Sequence, residues 1–495
     1  MNNKGVAIKY GNIAPEAKEN FVPSASEKEF DTLKQLQRYN LNFPNYANPC
    51  EIYSVILDGK ATAFPSIPEN ANVGLVSEQI SGNNGVFAEP IVLELESEGQ
   101  YSSEGLTLTF DTDNGIYATR LSVKWLRITD EGISTLDEKE YQPNSAFYFC
   151  ENKIENYNKV VITFYSLNMP KNRLKLRAID YGYGTIFYGD ELRNVKCIQE
   201  IDPISTEISI NTADFTLDSH SGIESFQAKQ PLSVYFNGDL KATTFVKSAK
   251  RKSRFLWQIQ SEDYISLMDG VSFYGDIYTN KNAVELLEEI FDVAKVPYKI
   301  DEAFADATVS GYIPFSTCRE ALMQVAFAIQ AVVDTSNSEV VKVYALDSDV
   351  KQTIPLTRIM QGQSFVDDET VTGVEVAVHT YKPIDEEVEV YDATESGSGE
   401  EIFVSFSEPL HDLTIVDGGV VERGTNYAII NAYENCVLMG KKYDHTTKIK
   451  RKNNPLILAS EIEKVVAIDD ATLVSQHNVD NVLEKCYNWL TVTIK

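Results

Sequence analysis

The chain has 495 residues, 43% of them hydrophobic, and carries 44 basic against 73 acidic side chains, a formal net charge of −29. That length exceeds what one hydrophobic core organises and predicts roughly three domains, while the charge opposes nucleic-acid binding over the surface as a whole. No run of 18 apolar residues occurs, so no membrane-spanning helix is expected, and the polar start Met1-Asn2-Asn3-Lys4-Gly5 lacks the apolar segment of a secretory signal.

Residues 1–48 read as an N-terminal arm punctuated by Pro15, Pro23 and Pro44. Phe30, Leu33 and Leu36 stand at helical spacing and predict a short helical turn between Glu27 and Arg38. Such an arm either docks on its own domain or embraces a neighbouring subunit. Residues 49–190 read as a β-sandwich of jelly-roll type. Its strands include Ile91–Glu96, Leu106–Phe110, Thr119–Leu126, Lys159–Tyr165 and Leu174–Asp180, separated by turn residues such as Asp111-Thr112-Asp113-Asn114-Gly115. Over 191–270 the alternation of Ile204, Ile208, Ile210 and Phe215 with polar neighbours predicts further antiparallel strands, followed by Gln230–Gly238 and Phe255–Ser261.

The period then changes. Over 271–350 the pattern is that of a small α/β insert. Asn282 caps a helix with Ala283, Leu286, Leu287, Ile290, Phe291 and Ala294 on its apolar face. Thr317 and Glu320 form a capping box for a second helix, which reads as running through Leu322, Val325, Ala326, Ile329 and Val332. Val340–Leu346 is a strand beside it. Residues 351–475 read as a β-rich domain with strands at Val374–Val378, Glu387–Tyr391 and Ile402–Phe406. Residues 476–495 read as a C-terminal helix, Val479 to Leu490, with a closing strand, Thr491–Lys495.

Catalytic chemistry finds no foothold in this pattern. Cys50, Cys150, Cys197, Cys318, Cys436 and Cys486 lie far apart with no CxxC pair; they fit small core residues in a reducing environment, and their count leaves disulfides open. His220, His379, His411, His445 and His477 are scattered, with no HxH or HExxH spacing. No nucleophile elbow, P-loop or strand-linked GxGxxG occurs. Asp111, Asp113 and Gly115 begin like a calcium loop, but the later ligands are missing and a turn between strands is the better reading. Acidic runs such as Asp367-Asp368-Glu369 and Asp385-Glu386-Glu387 suit a glycosidase only if two carboxylates face each other across a cleft. The expectation is no enzyme, no cofactor and no metal.

Two basic islands interrupt the acidity: Lys247, Lys250, Arg251, Lys252 and Arg254, and Lys441, Lys442, Lys448, Lys450, Arg451 and Lys452. Either they balance local acid or they dock the acidic face of a neighbouring subunit. Within them Lys250, Arg251, Lys252, Arg254, Lys450, Arg451 and Lys452 are the candidate docking residues. Specific nucleic-acid binding is not expected, since the islands lack an interleaved aromatic platform. Trp125, in an alternating strand, reads as core. Tyr101, Tyr117 and Tyr141, in or beside loops, are the candidates for stacking on a sugar.

Several runs together resemble hub proteins of tailed phages and phage-like particles (tailocins) of Gram-positive bacteria. They are Asn156–Ser166, Ile201-Asp202-Pro203-Ile204-Ser205, Ala283–Phe291, Arg319–Ile329 and Ala331–Ser336, and their order and spacing carry the likeness from about residue 50 onward. The resemblance implies a mainly β, multidomain protein: a galactose-binding-like jelly roll, then hub-type β-barrel domains around a small α/β insert. It implies a non-enzymatic virion component, a homotrimer that joins tail tube protein, tape-measure protein, spike and baseplate wedge proteins, and frames a channel for DNA or tape-measure passage. An acidic bore would let a like-charged polymer slide, although the acidity also serves solubility alone. The jelly roll would offer a carbohydrate-binding face for host cell-wall glycan. The resemblance also leads one to expect further strands after the last helix to complete a barrel.

Overall fold

The computed structural model describes residues 5–26, 33, 36, 46–48, 50–51, 62–63, 73–129, 132–201, 203–218, 226–346, 371–393, 398–455 and 463–491. It is mainly β and multidomain, as expected. The chain divides into two compact units. One comprises Met1–Ile198, Thr212–Glu262 and Ser336–Glu339; the other comprises Gln199–Asn211, Asp263–Thr335 and Val340–Lys495.

The first unit holds two sheets. In one, the strands run in the order Leu75–Val76, Lys175–Asp180, Val86–Phe110, Phe147–Leu167, Ala118–Thr129 and Gly132–Tyr141, with Val22–Ala25 added against Val86–Phe110. Val86–Phe110 is 25 residues long, and its pairing with Phe147–Leu167 slips repeatedly between Glu96 and Gly105. Such irregularities bend a strand. The two halves of this strand line one core: Ile91, Leu93 and Leu95 share it with Leu106, Leu108 and Phe110. Trp125 lies fully buried in that core. Leu33 and Leu36 are buried there too, while most of the helical turn expected at Glu27 to Arg38 lies outside the described residues.

The second sheet has the order Gly182–Tyr188, Val6–Ile13, Pro231–Phe236, Asp239–Arg251, Leu256–Glu262, Thr212–Asp218 and Leu192–Ile198. Its two edge strands are consecutive in sequence, joined only by the 3₁₀ turn Gly189–Glu191. A three-residue link forces the edges together, so the sheet curls around Ile8, Tyr10, Phe187, Phe215, Leu217, Leu232 and Ile259. No hydrogen-bonded ladder joins those edges, and among the described residues no barrel closes. The barrel expectation is corrected to an open, curled sheet. The segment read as an arm supplies one of its inner strands: Val6–Ile13 pairs with Gly182–Tyr188 on one edge and Pro231–Phe236 on the other.

A short helix α1 (Pro15–Asn20) follows Val6–Ile13 and brings Lys18 into the same buried space as Lys9 and Asp180. Asp180 takes one ammonium on each oxygen, Lys9 Nζ at 2.7 Å and Lys18 Nζ at 2.5 Å. Burial disfavours the Asp180 carboxylate, but the two ammoniums outweigh it and hold its pKa at about 2. Lys18 is pulled down to about 8, chiefly by burial, against the attraction of Asp180.

In the second unit the insert follows the expected local rules. After the short α2 (Tyr264–Met268), Asn282 caps α3 (Ala283–Ala294), its side chain accepting from the backbone N–H of Val284 and Glu285. Thr317 and Glu320 close the capping box of α4 (Cys318–Ile329). Helix α4 ends one turn earlier than its apolar pattern suggests. Gln330 takes a left-handed conformation at φ 59°, and Val332 belongs to the strand Ala331–Asp334. The segment holding Ile204, Ile208 and Ile210 is likewise not a strand. Ile208 and Ile210 pack on the helical core, and the Arg319 guanidinium donates to the Ile208 carbonyl at 2.6 Å. The alternation there reflects one apolar side meeting a helix layer instead of a sheet ladder.

A five-stranded sheet completes this unit: Gly373–Ala393, Ser398–Ser405, Leu410–Arg423, Tyr427–Asn453 and Val465–Ile468. The two short strands expected at Val374–Val378 and Glu387–Tyr391 are one strand interrupted by register shifts. Helix α5 (Val479–Leu490) buries Val479, Val482, Leu483 and Cys486 against Val374, Val376 and Val378. The strand expected at Thr491–Lys495 lies outside the described residues beyond Thr491.

Candidate functional site

Among the described residues no three His, Cys, Asp or Glu side chains gather as a metal site. Asp111, the first residue of the calcium-like run, is buried, with Lys175 Nζ at 3.5 Å and Arg177 Nη2 at 3.9 Å. Burial pushes its pKa up, but these cations and Asn114 prevail and lower it. Cations in the space a divalent ion would need make the segment a turn. Asp385 and Glu386 are bonded to Lys441 and Lys442 across the ribbon, at 3.0 and 2.8 Å. Asp367-Asp368-Glu369 and His220 lie outside the described residues. All six cysteines are free thiols, four of them buried.

Strand pairing brings together two histidines that the sequence keeps 66 residues apart. His379 and His445 stack, with His379 Nδ1 3.0 Å from His445 Nε2, and Tyr381 lies flat on His445. Burial, then the neighbouring ring, lowers the His379 pKa. The two rings satisfy each other, which leaves a structural pair.

The basic islands differ sharply from each other. Lys450 is bonded to Asp480 and Lys452 to Glu484, both on α5, and Arg451 bridges Glu375 and Glu463. Within their own unit these pairs anchor α5 and the neighbouring strands. Lys250, Arg251, Lys252 and Arg254 occupy the tip of the hairpin between Asp239–Arg251 and Leu256–Glu262. All four are exposed, and among the described residues none makes an ion pair.

The three candidate tyrosines do not form a platform. Tyr141 is buried, donates its hydroxyl to the Glu151 carbonyl at 3.1 Å, and has no free ring face for a sugar. Tyr101 is half-buried against Phe21, its hydroxyl accepting from Asn20 Nδ2 at 2.7 Å. Tyr117 is half-buried beside Asn168. No ring contact joins any two of the three. Next to Tyr101, Ser102, Ser103 and Glu104 line a cleft of about 260 Å³ together with Asn12, Lys153 and Gln227.

Sequence reasoning missed an aromatic patch in the second unit. Tyr274, Phe315, Phe403 and Tyr427 come from four separate segments, and their rings lie 4.6–5.9 Å apart. Tyr274, Phe315 and Phe403 remain 47%, 38% and 44% exposed. The turn carrying Tyr274 is bolted in place: Asn426 Nδ2 donates to the Gly275 carbonyl at 2.9 Å and Thr425 Oγ1 to Asp276 at 2.8 Å. A Cβ on Gly275 would lie 2.1 Å from the Ile313 carbonyl oxygen, so only glycine allows this approach. Phe403 stands on Ser398–Ser405, which among the described residues pairs on one side only, with Tyr427–Asn453. Exposed aromatics beside an open strand edge are the ingredients of a protein interface. The only sequence signal was aromatic abundance, which does not say which rings meet.

Comparison with known proteins returns no matching family model and no matching curated protein. Among solved structures, a prophage tail protein gp18 from Listeria monocytogenes is similar at 10% identity over 61% of this chain and 73% of its own, with a TM-score of 0.34. The MuSo2 prophage 43 kDa tail protein from Shewanella oneidensis is similar at 11% identity and TM-score 0.30, covering 39% of this chain and 62% of its own. A tail protein from Neisseria meningitidis matches at 11% identity and TM-score 0.29, over 57% and 68%. Likeness at these identities and scores assigns neither family nor function.

Proposed function

We propose that this chain is a structural component of a phage or phage-like tail, a hub that works as a trimer joining tail tube and tape-measure proteins to spike and baseplate wedge proteins. The tail setting rests on the ordered sequence runs that resemble hub proteins. The assembly role rests on one observation: Ser398–Ser405, which among the described residues pairs on one side only, lies next to the exposed rings of Tyr274, Phe315 and Phe403 and the half-buried ring of Tyr427. Free backbone N–H and C=O groups along an edge invite another strand, and a clustered aromatic patch supplies the apolar centre of such a contact.

Native mass spectrometry and sedimentation of the full chain test this reading. A trimer, or rings formed with tail tube protein, is expected, and a Tyr274→Ala/Phe403→Ala variant should shift the population toward monomer. A chain that stays monomeric at every concentration and binds no tail component refutes it.

A second reading is carried by the cleft beside Tyr101, whose Asn12, Ser102, Ser103, Glu104, Lys153 and Gln227 offer the mixed donors and acceptors that sugar hydroxyls use. In this reading the first unit attaches the assembly to host cell-wall glycan. Glycan-array binding that Glu104→Ala abolishes would support it, and an empty array would remove it.

A further inference from the structure

The hairpin tip Lys250–Phe255 gathers four exposed cations. Lys250, Arg251, Lys252 and Arg254 project within one turn of a protein whose net charge is −29, and no carboxylate among the described residues pairs with them. Their backbone is held in shape. Lys252 and Ser253 N–H donate to the Leu256 carbonyl, and Arg251 donates from Nη2 to the Arg254 carbonyl at 2.8 Å and from Nε to the Ser253 carbonyl at 3.3 Å. Arg251 also lies over Trp257 and Arg254 over Phe255. Phe255 itself is 46% exposed. The tip is therefore a preformed cationic knob with one apolar side chain at its end, and a preformed element loses little entropy on docking.

The same chain carries the complement. On α3, Glu285, Glu288, Glu289 and Asp292 recur at helical spacing and face solvent, while Leu286, Leu287, Ile290 and Phe291 anchor the other side. Glu285 has Lys281 at 2.9 Å, but Glu288, Glu289 and Asp292 make no ion pair among the described residues. Val293 in the same stripe is 45% exposed. From Glu285 to Asp292 the stripe is roughly 10 Å long at 1.5 Å per residue.

We infer that the Lys250–Phe255 hairpin of one copy docks on the α3 carboxylate stripe of a second copy, Phe255 meeting Val293 and the four cations meeting the four carboxylates. The contact joins two different surfaces, so it is head-to-tail and closes a ring if the rotation permits. The inference rests on the reading that the chain works in several copies. A second copy fits better than nucleic acid: the tip offers four cations against a chain-wide excess of acid, and Trp257, the ring best suited to stacking on a base, is buried beneath Arg251.

A charge-swap cycle on the full chain tests the contact, read by sedimentation velocity at 0.05 and 0.5 M NaCl. K250E/R251E/K252E/R254E should weaken self-association roughly tenfold or more and remove most of its salt dependence. E285K/E288K/E289K/D292K should do the same, and the two sets combined should restore association. Far-UV circular dichroism and Tm control for folding, and a Phe255→Ser variant gives the apolar half of the contact without a charge change. Wild-type assembly that neither swap disturbs overturns the inference while leaving the assembly reading intact. A wild-type chain that never associates overturns both. Tight binding of a 20-nucleotide DNA strand, lost in the hairpin variant while self-association persists, overturns it in favour of nucleic acid.

Discussion

Replacing Asp180 by Asn should strongly destabilise the first unit. Its carboxylate lies 1% exposed between two ammoniums that are 5% and 2% exposed, so none of the three charges is relieved by water. Asparagine keeps the shape and one acceptor but removes the negative charge that both buried cations share. Breaking a buried ion pair by removing one partner costs about 3–5 kcal/mol. At roughly 2–4 °C of Tm per kcal/mol for a unit of this size, that is a drop of about 6–20 °C. Lys18→Met should cost less, because it leaves the one-to-one Lys9–Asp180 pair and removes a cation whose charged form burial already penalises. The acid limb carries the same signature. An Asp held at about 2 against an unfolded value of about 3.9 contributes about 2–3 kcal/mol, fully present above pH 3.9 and lost as the pH falls toward 2. Lys18 acts at the other end. Its folded-state value near 8 lies below the unfolded value, so stability rises as pH increases from 8 toward 10.4. Calorimetry of the full chain, resolving the transition of the first unit across pH 2–10, reads all of this. The reasoning is refuted if Asp180→Asn melts within 2 °C of wild type, or if Lys18→Met is the worse of the two.

Asp263 sits in the second unit where three chain passages meet, accepting from Thr335 Oγ1 at 2.6 Å, Asn211 N at 3.1 Å and Ile265 N at 3.1 Å. Burial raises its pKa to about 6 despite these donors, so its contribution is present below about pH 3.9 and lost as pH rises through 6; Asp263→Asn should flatten Tm over pH 4–6, and an unchanged slope would count against it. His379 works in the opposite direction. Its lowered pKa makes the folded state take up its proton later than the unfolded state, so stability of the second unit falls as pH drops below about 6.5, a slope that His379→Gln should reduce in pH-dependent denaturant titrations. Thr317→Ala removes the hydroxyl that accepts from Glu320 N at 3.2 Å and should cost about 1 kcal/mol in urea unfolding.

The helices were the most legible part of this chain. Their caps at Asn282 and Thr317 and their apolar stripes are local in sequence, and α3 and α5 lie where the spacing places them. Helix α4 overran in the reading because Ala331 and Val332 are apolar in either conformation; the left-handed Gln330 decides the stop. Strands were found, but their grouping was not. Nothing in Val6–Ile13 announces that it pairs between segments 169 or more residues away. The candidate site was less legible still. The two basic islands look alike as strings, and only the tertiary structure shows that Lys450, Arg451 and Lys452 meet the carboxylates of Asp480, Glu375, Glu463 and Glu484, while Lys250, Arg251, Lys252 and Arg254 make no ion pair among the described residues.

Composition and short-range pattern by themselves determined a mainly β, multidomain and strongly acidic protein with a helical insert, because strand alternation, helix periodicity and capping act over a few residues. The tertiary structure alone decided which strand edges stay open, which cations find a carboxylate, that Tyr141 is buried, and that Tyr274, Phe315, Phe403 and Tyr427 meet at the surface. Those outcomes depend on contacts between residues far apart in the chain, and a pairing across a hundred residues leaves no periodicity in the sequence to read.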